Sequence, residues 1–392
     1  MTYAHVKQAP GGIGQDHFSW LAQMRRTAPV FVDPRSGVIS VFRYDDTQRV
    51  LSDYASFSSE RGVHAPSEEN AIGASLISSD PPRHRKLRNL VTQAFTPRAV
   101  AQLEPRITVI IAGLLDRLSA HGRTQVDFIE EFAVPLPVTV IAEMLGVPTE
   151  RRVDFRRWSD ALVTAGSGMG GAGMLQAQRE MAAFFGEMIA QRRAEPRDDL
   201  ISHLIAAEID GQHLTPVELI GFCVLLLVAG NETTTNLLGA AILACDEQPA
   251  AWERLRAEPQ LIPSAVEETL RYLSPVQSMF RMARGQERLG DIVTRPGQPV
   301  VAWIGSANRD ETQFANAETF DITRTPNRNL AFGHGIHFCL GAPLARLEAR
   351  LALEALLRRA ESIRIAPDAQ IEWMESAIVY GAKHLPVTIT PA

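Results

Sequence analysis

The chain has 392 residues, 45% hydrophobic and 21% charged, an ordinary globular composition long enough to enclose a cofactor in a large core. Its net charge of -6 carries no basic excess of the kind a phosphate backbone selects, so nucleic acid is not an expected partner. Cys223, Cys245 and Cys339 lie too far apart for a disulfide framework, which points to a reducing, cytoplasmic setting.

Residues 1–15 lack a basic start followed by an apolar run, so neither a signal peptide nor a membrane anchor is expected. Pro29 to Phe42 alternates apolar residues around a Pro-Arg-Ser-Gly turn and predicts a β-hairpin. Asp80-Pro81-Pro82 predicts a turn that launches a helix to about Phe95, and Thr96-Pro97 opens the next one. On the first of these helices His84 and Arg88 stand four apart and share a face, which by itself reads as a polar surface. The glycine-rich stretch at 165–174 reads either as a mobile lid or as an ordinary helix connection. Helical patterns dominate to about residue 274. Strand-rich portions are expected near 28–43, 275–305 and 385–390. With no repeat, low-complexity tract or clean linker, the expectation is one mainly α domain over 1–392 with small β-sheets.

Thr215-Pro216-Val217-Glu218 forms a capping box with proline at the first helical position, and predicts a long helix to about Cys245. Its apolar run from Leu219 to Gly230 suits a buried core helix better than a membrane span. Ala229-Gly230-Asn231-Glu232-Thr233-Thr234-Thr235 interrupts that run, and buried polar groups need partners or a task. Read alone, this is more often a helix-packing glycine beside threonines bonded to their own backbone. Further on, Glu268 and Arg271 place opposite charges three apart, alone usually a solvated pair worth little.

Phe332 to Arg346 is a glycine-rich loop running into a helix whose apolar face carries Leu340, Leu344, Leu347 and Leu351. Cys339 therefore sits at a helix start, where the macrodipole and free N–H groups stabilise an anion. Gly333, Gly335 and Gly341 keep side chains away from the sulfur, and Phe332 and Phe338 are expected to shield it from water. A buried structural thiol is the commoner reading of an isolated cysteine. A small metal site from His334, His337 and Cys339 is another, but it lacks a fourth ligand.

The spacing Phe332, Gly335, His337, Cys339, Gly341 matches Phe-x-x-Gly-x-His-x-Cys-x-Gly, and the chain resembles the cytochrome P-450 family over nearly its whole length, most densely from 215 to 350. That resemblance implies a single-domain cytochrome P-450 fold, with heme b between a long distal helix and the cysteine-loop helix and Cys339 as the axial iron ligand. It implies an oxygen-activating pair in Glu232 and Thr233, with Ala229, Gly230, Phe332 and Gly341 also at the heme. His84, Arg88, Arg281 and His337 match positions that bind heme propionates. Glu268, Arg271 and, more loosely, Arg324 match a structural charge cluster. Pocket walls are implied at Leu225, Val228, Val276, Met279, Ile378 and Val379, nearly all apolar, which suits a small lipophilic substrate.

The implied activity is a monooxygenase that uses O2. Its NAD(P)H electrons would arrive indirectly, through a separate ferredoxin reductase and ferredoxin. Arg83, Arg85, Lys86, Arg346 and Arg350 are expected to form a basic face for that donor. A peroxide-driven peroxygenase and a non-catalytic heme-binding protein are the alternatives. One departure is Asn329, where many bacterial relatives carry histidine.

Overall fold

The computed structural model describes the chain apart from residues 1–15, 61–72, 74, 93–94, 120–121, 152, 156, 159–171 and 209–210. Residues 165–171 of the glycine-rich lid candidate therefore lie outside the described residues. The described chain packs as two compact units. One comprises residues up to Phe57, Leu103–Leu136 and Thr233–Ala392; the other comprises Ser58–Gln102 and Pro137–Glu232.

The first unit is organised on a five-stranded sheet. Val30–Val32 pairs antiparallel with Ile39–Val41, with Val30 opposite Val41, as the alternation around Pro-Arg-Ser-Gly predicts. The turn closes through a bond from the Gly37 N–H to the Asp33 carbonyl at 2.8 Å, and Gly37 takes φ +71° there, which glycine adopts without steric cost. Ile39–Val41 then pairs parallel with Pro299–Ala302, which pairs antiparallel with Met279–Ala283. The short strand at Phe57 completes the sheet.

Successive strand residues face opposite sides, and two cores result. Ile39, Val41, Val300 and Ala302 face a cluster with Val50, Leu51 and Phe57, while Val301 and Trp303 join Leu21 and Phe42 on the other side. Full burial of such side chains is worth about 1.5–3 kcal/mol each. A second sheet joins Gln125–Asp127, Pro386–Pro391 and Ala360–Ile365, with the C-terminal strand in the middle. The helix Ala342–Arg359 packs against Glu104–Leu118 and Ile262–Tyr272.

Buried charge marks this unit. Glu268 and Arg271 are completely buried, joined at 2.8 Å, and Arg324 bonds the same carboxylate at 3.0 Å. Glu348, on the cysteine-loop helix, is 1% exposed, and its Oε2 has no hydrogen-bond partner among the described residues. Burial pushes its carboxyl up to about 8, so it is held protonated at neutral pH.

In the second unit the helix Arg83–Thr92 follows the Asp80-Pro81-Pro82 turn, with the His84 N–H bonded to the Asp80 carbonyl at 2.9 Å. Thr96 caps the next helix, accepting from the Ala99 N–H at 3.2 Å. Phe155, Trp158, Phe184 and Phe185 form an aromatic cluster of edge and tilted contacts. Arg192 pairs with Asp199 in the interior and also donates to the Gly146 carbonyl at 3.0 Å. Gly146 takes φ +70°, and any Cβ there would collide with the Asp199 carboxylate.

The long helix spans Pro216–Glu247, 32 residues and about 48 Å at 1.5 Å per residue. Its capping box forms as expected: the Thr215 N–H donates to Glu218 Oε2 at 3.0 Å, and the Glu218 N–H donates to Thr215 Oγ1 at 3.3 Å. Among the described residues it is the one helix long and apolar enough to cross a membrane, with half of its most apolar window buried within the protein. Leu219, Ile220, Phe222, Cys223, Val224 and Leu227 are each at most 4% exposed, the behaviour of a core helix.

Glu348 makes stability fall with pH. A carboxyl held at about 8 in the fold and near 4.5 when unfolded favours the fold fully below pH 4.5, and loses that contribution as pH rises to about 8. Denaturant titrations of wild type and Glu348→Gln should therefore diverge in favour of the variant by about 1.4 kcal/mol per pH unit across that window. Parallel pH profiles would show that Glu348 does not titrate there.

Candidate functional site

The cysteine loop begins where the Gly333 N–H bonds the Leu330 carbonyl at 2.8 Å, and it closes on itself through a 2.9 Å bond from the Cys339 N–H to the Phe332 carbonyl. A short 3-10 turn, Gly335–His337, fills the interior of this ring. The helix then starts at Ala342, with Gly341 as N-cap and Pro343 in its first turn. A Cβ at Gly341 would lie 4.0 Å from the Cys339 sulfur, so the sulfur sits beside a residue without a side chain. Cys339 is half-buried. Cys223 and Cys245 are buried instead, and burial pushes both their thiols up to about 12. Only Cys339 combines access with a helix start that stabilises an anion.

Two details differ from the sequence expectation. Gly335 takes φ +72°, and its Cβ would fall 2.7 Å from Ser52 Cα, so this glycine lets the loop close against the helix Tyr44–Ser52 rather than clearing space at the sulfur. Phe338 is 40% exposed and is a poor water shield. Phe332 is half-buried, with the Arg346 guanidinium 4.5 Å over its ring.

On the long helix, Leu225, Leu226, Val228, Gly230, Glu232 and Thr233 are half-buried and Ala229 is exposed, although Leu227, Asn231, Thr234 and Thr235 beside them are buried. Residues 225, 229 and 233 recur every four positions, so an accessible stripe runs along one face of an otherwise buried helix. The three threonines are thereby distinguished. The Thr235 hydroxyl donates to the Ala133 carbonyl at 3.1 Å, Thr234 is buried, and Thr233 lies on the stripe. Gly230 has a packing role, since its Cβ would meet Ile141 Cδ1 at 2.6 Å.

His84 is 3% exposed and Arg88 is half-buried, on the same face of their helix. Arg281 is 4% exposed in the strand Met279–Ala283, donating to the Phe280 carbonyl at 2.8 Å. His337 is half-buried in the cysteine loop. Val276 and Val379 face each other across an isolated antiparallel bridge, and the Gln277 N–H bonds the Ile378 carbonyl at 2.7 Å. Met279 packs against the sheet cluster.

Two of the cations expected to dock a partner also form ion pairs within the chain. Arg346 is bonded to both oxygens of Glu267, and Arg350 bonds Glu104 and Glu354 at 2.8 Å each. Asn329 acquires a function that the sequence did not disclose. Its amide reaches the Glu267 carbonyl and carboxylate at 3.4 and 3.3 Å, while its oxygen accepts the Ala331 N–H at 3.2 Å. It is a tie at the entrance to the cysteine loop.

The family model for cytochrome P-450 matches residues 3–160 and 171–375. The chain belongs to the cytochrome P-450 family. It is 46% identical over 376 residues to cytochrome P-450 109 of Bacillus spizizenii, covering 94% of this chain and 90% of that one. It is 40% identical to the erythromycin C-12 hydroxylase of Saccharopolyspora erythraea, over 94% of this chain and 93% of the relative. The crystal structure of CYP109E1 from Bacillus megaterium in complex with testosterone superposes with a TM-score of 0.86 at 42% identity, covering 95% of this chain and 98% of that one. The mainly helical architecture with small sheets is thus the cytochrome P-450 fold, and the protein is a monooxygenase of this family. Family membership implies heme.

The loop of this cytochrome P-450 depends on Gly335. Gly335→Ala should cost about 2–3 kcal/mol, because it combines positive-φ strain with a backbone clash at Ser52. Gly230→Ala should cost less, because it meets only the movable end of Ile141 and gains about 1 kcal/mol of helix propensity. Chemical denaturation of both variants checks the order, and equal costs would contradict the assigned contacts.

Proposed function

We propose that the protein inserts one oxygen atom from O2 into a small lipophilic molecule, by C–H hydroxylation or a related oxidation. Electrons would come from NAD(P)H through a separate ferredoxin reductase and ferredoxin in the cytoplasm. The whole chain, 1–392, is read as one cytochrome P-450 domain. The observation that carries the reading is the acid–alcohol pair Glu232 and Thr233, half-buried on the accessible stripe of a buried apolar helix.

The residues present fit heme b. Cys339 is the one accessible cysteine among three and has a glycine against its sulfur, and Ala229 leaves only a methyl group at the middle of the helical stripe. Cys339 would hold the iron through its thiolate, and Phe332, Gly341, Ala229 and Gly230 would lie against the group. His84, Arg88, Arg281 and His337 would hold the propionates by charge-assisted hydrogen bonds. Heme supplies iron whose thiolate ligand favours O–O cleavage.

The protein contributes proton management and orientation. Glu232 exchanges protons with water, and the Thr233 hydroxyl, able to donate and accept, passes them toward the reacting oxygen. Leu225, Val228, Val276, Met279, Ile378 and Val379 would supply an apolar pocket wall. The testosterone complex of one relative and the name of another, an erythromycin C-12 hydroxylase, support a lipophilic small-molecule substrate.

Glu232→Gln should slow ferredoxin-driven turnover by about a hundredfold, and Thr233→Ala should divert most NAD(P)H consumption away from product. Product per NAD(P)H consumed, measured beside hydrogen peroxide released, checks both. Turnover with peroxide alone at the ferredoxin-driven rate, undiminished in Thr233→Ala, would replace this reading with a peroxygenase.

A further inference from the structure

The connector between the helix Ile262–Tyr272 and the strand Met279–Ala283 carries Gln277, which is completely buried and has every polar group engaged. Its N–H bonds the Ile378 carbonyl at 2.7 Å, and its carbonyl accepts the Gly305 N–H at 3.1 Å. Its side-chain Nε2 donates to the Ser274 carbonyl at 2.7 Å, and its Oε1 pairs with His17 Nε2 at 3.0 Å. A Cβ at Gly305 would fall 1.9 Å from that Oε1, so the glycine makes room for the amide.

His17 comes from the first described helix, Asp16–Thr27, and is 3% exposed. It touches a second element, stacking on Tyr380 at 6.2 Å between centroids and 16° between planes. Tyr380 directly follows Val379, and its own N–H bonds the Pro275 carbonyl at 2.9 Å. Ser278 Oγ adds a bond to the Ala377 carbonyl at 2.8 Å. Burial, reinforced by the nearby Arg309, lowers the basicity of His17 against the opposing effect of the Gln277 bond. The neutral ring then donates from Nε2 to the amide oxygen.

Segments 275–278 and 377–380 are the two that carry Val276, Ile378 and Val379. Gln277 and Tyr380 each adjoin one residue of the Val276/Val379 bridge, so both contacts of His17 act on neighbours of that bridge. A single histidine thus contacts both segments. We propose that His17 and Gln277 are positioning residues that set the separation of the two wall segments and thereby the shape selectivity of the substrate pocket. This rests on the proposed heme-thiolate pocket and its walls. Nothing in the pair contacts substrate or supplies a proton; it selects by holding Val276 and Val379 in register.

The test uses the heme-loaded protein and two iron-coordinating probes, imidazole and 4-phenylimidazole, read by the shift of the heme absorption band. His17→Phe keeps an aromatic ring against Tyr380 and removes only the hydrogen bond; Gln277→Met removes the amide. Each should weaken 4-phenylimidazole about tenfold while leaving imidazole within about twofold, since only the larger probe reaches the walls. Hydrogen exchange of 274–281 and 376–381 should rise in the same variants, and His17→Gln, which retains a donor, should restore probe selectivity in part. Where Gln277→Met does not accumulate, His17→Phe decides.

Unchanged probe selectivity in His17→Phe overturns the proposal. Val276→Phe separates this from failure of the pocket reading. If it weakens 4-phenylimidazole while His17→Phe does not, the walls are right and the positioning pair is wrong. If neither variant affects the larger probe, the pocket assignment falls and takes the proposal with it.

Discussion

A carboxylate with no exposure to water, Glu268, lies at the centre of the first unit, and several segments of the chain are arranged to satisfy it. Arg271 grips both oxygens at 2.8 Å, Arg324 adds bonds at 3.0 and 3.1 Å, and Asn327 and the Asp321 N–H supply two more. Arg271 spends its remaining donors on the carbonyls of Asn308, Ala317 and Thr319. A buried ion pair is weak evidence for net stability, but leaving one charge behind typically costs about 3–5 kcal/mol. Alternative arrangements of the 308–327 segment are penalised accordingly. Asn308, held in the same network, accepts the Leu330 N–H at 2.6 Å, and Leu330 opens the cysteine loop. The start of the cysteine loop is thereby tied to the charge cluster.

The two regions proposed to carry the chemistry are built by opposite strategies. The cysteine loop is short and closed on its own backbone, so its geometry is local and reinforced from outside by Ser52 and by the Asn329 tie. The long helix is regular throughout, and its specificity comes from which side chains occupy one stripe. Thr235 binds backbone and Thr234 is buried, which leaves Thr233 beside Glu232 as the accessible alcohol. Three cysteines are sorted in the same way. Burial makes Cys223 and Cys245 poor thiolates, and position alone makes Cys339 different.

What could be read from the sequence was mostly local. The Pro29–Phe42 hairpin, the Thr215–Glu218 capping box and the cysteine-to-helix junction each follow from residues a few positions apart, and each forms. What was missed depends on contacts between distant segments. Gly335 is adjacent to Ser52, Gln277 to His17 and to Gly305, and Arg350 to Glu104; no periodicity encodes such pairs. The ion pairs of the expected basic docking face are an instructive case. Glu267 and Glu104, which pair with Arg346 and Arg350, come from other helices and were not foreseeable, whereas Glu354 lies four residues after Arg350 on the same helix. Nor does the sequence show the burial of Glu348, since a glutamate on an amphipathic pattern gives no sign that its carboxyl will be enclosed.

The proposed function depends on Cys339 as the thiolate that holds heme iron. The most direct measurement is the absorption spectrum of the reduced, carbon monoxide-bound protein, recorded for wild type and for Cys339→Ser. Wild type should show the strongly red-shifted Soret band of thiolate ligation, and the variant should lose it while Cys223→Ser and Cys245→Ser retain it. A histidine-type band in wild type, or a thiolate-type band that survives in Cys339→Ser, would contradict the central assignment.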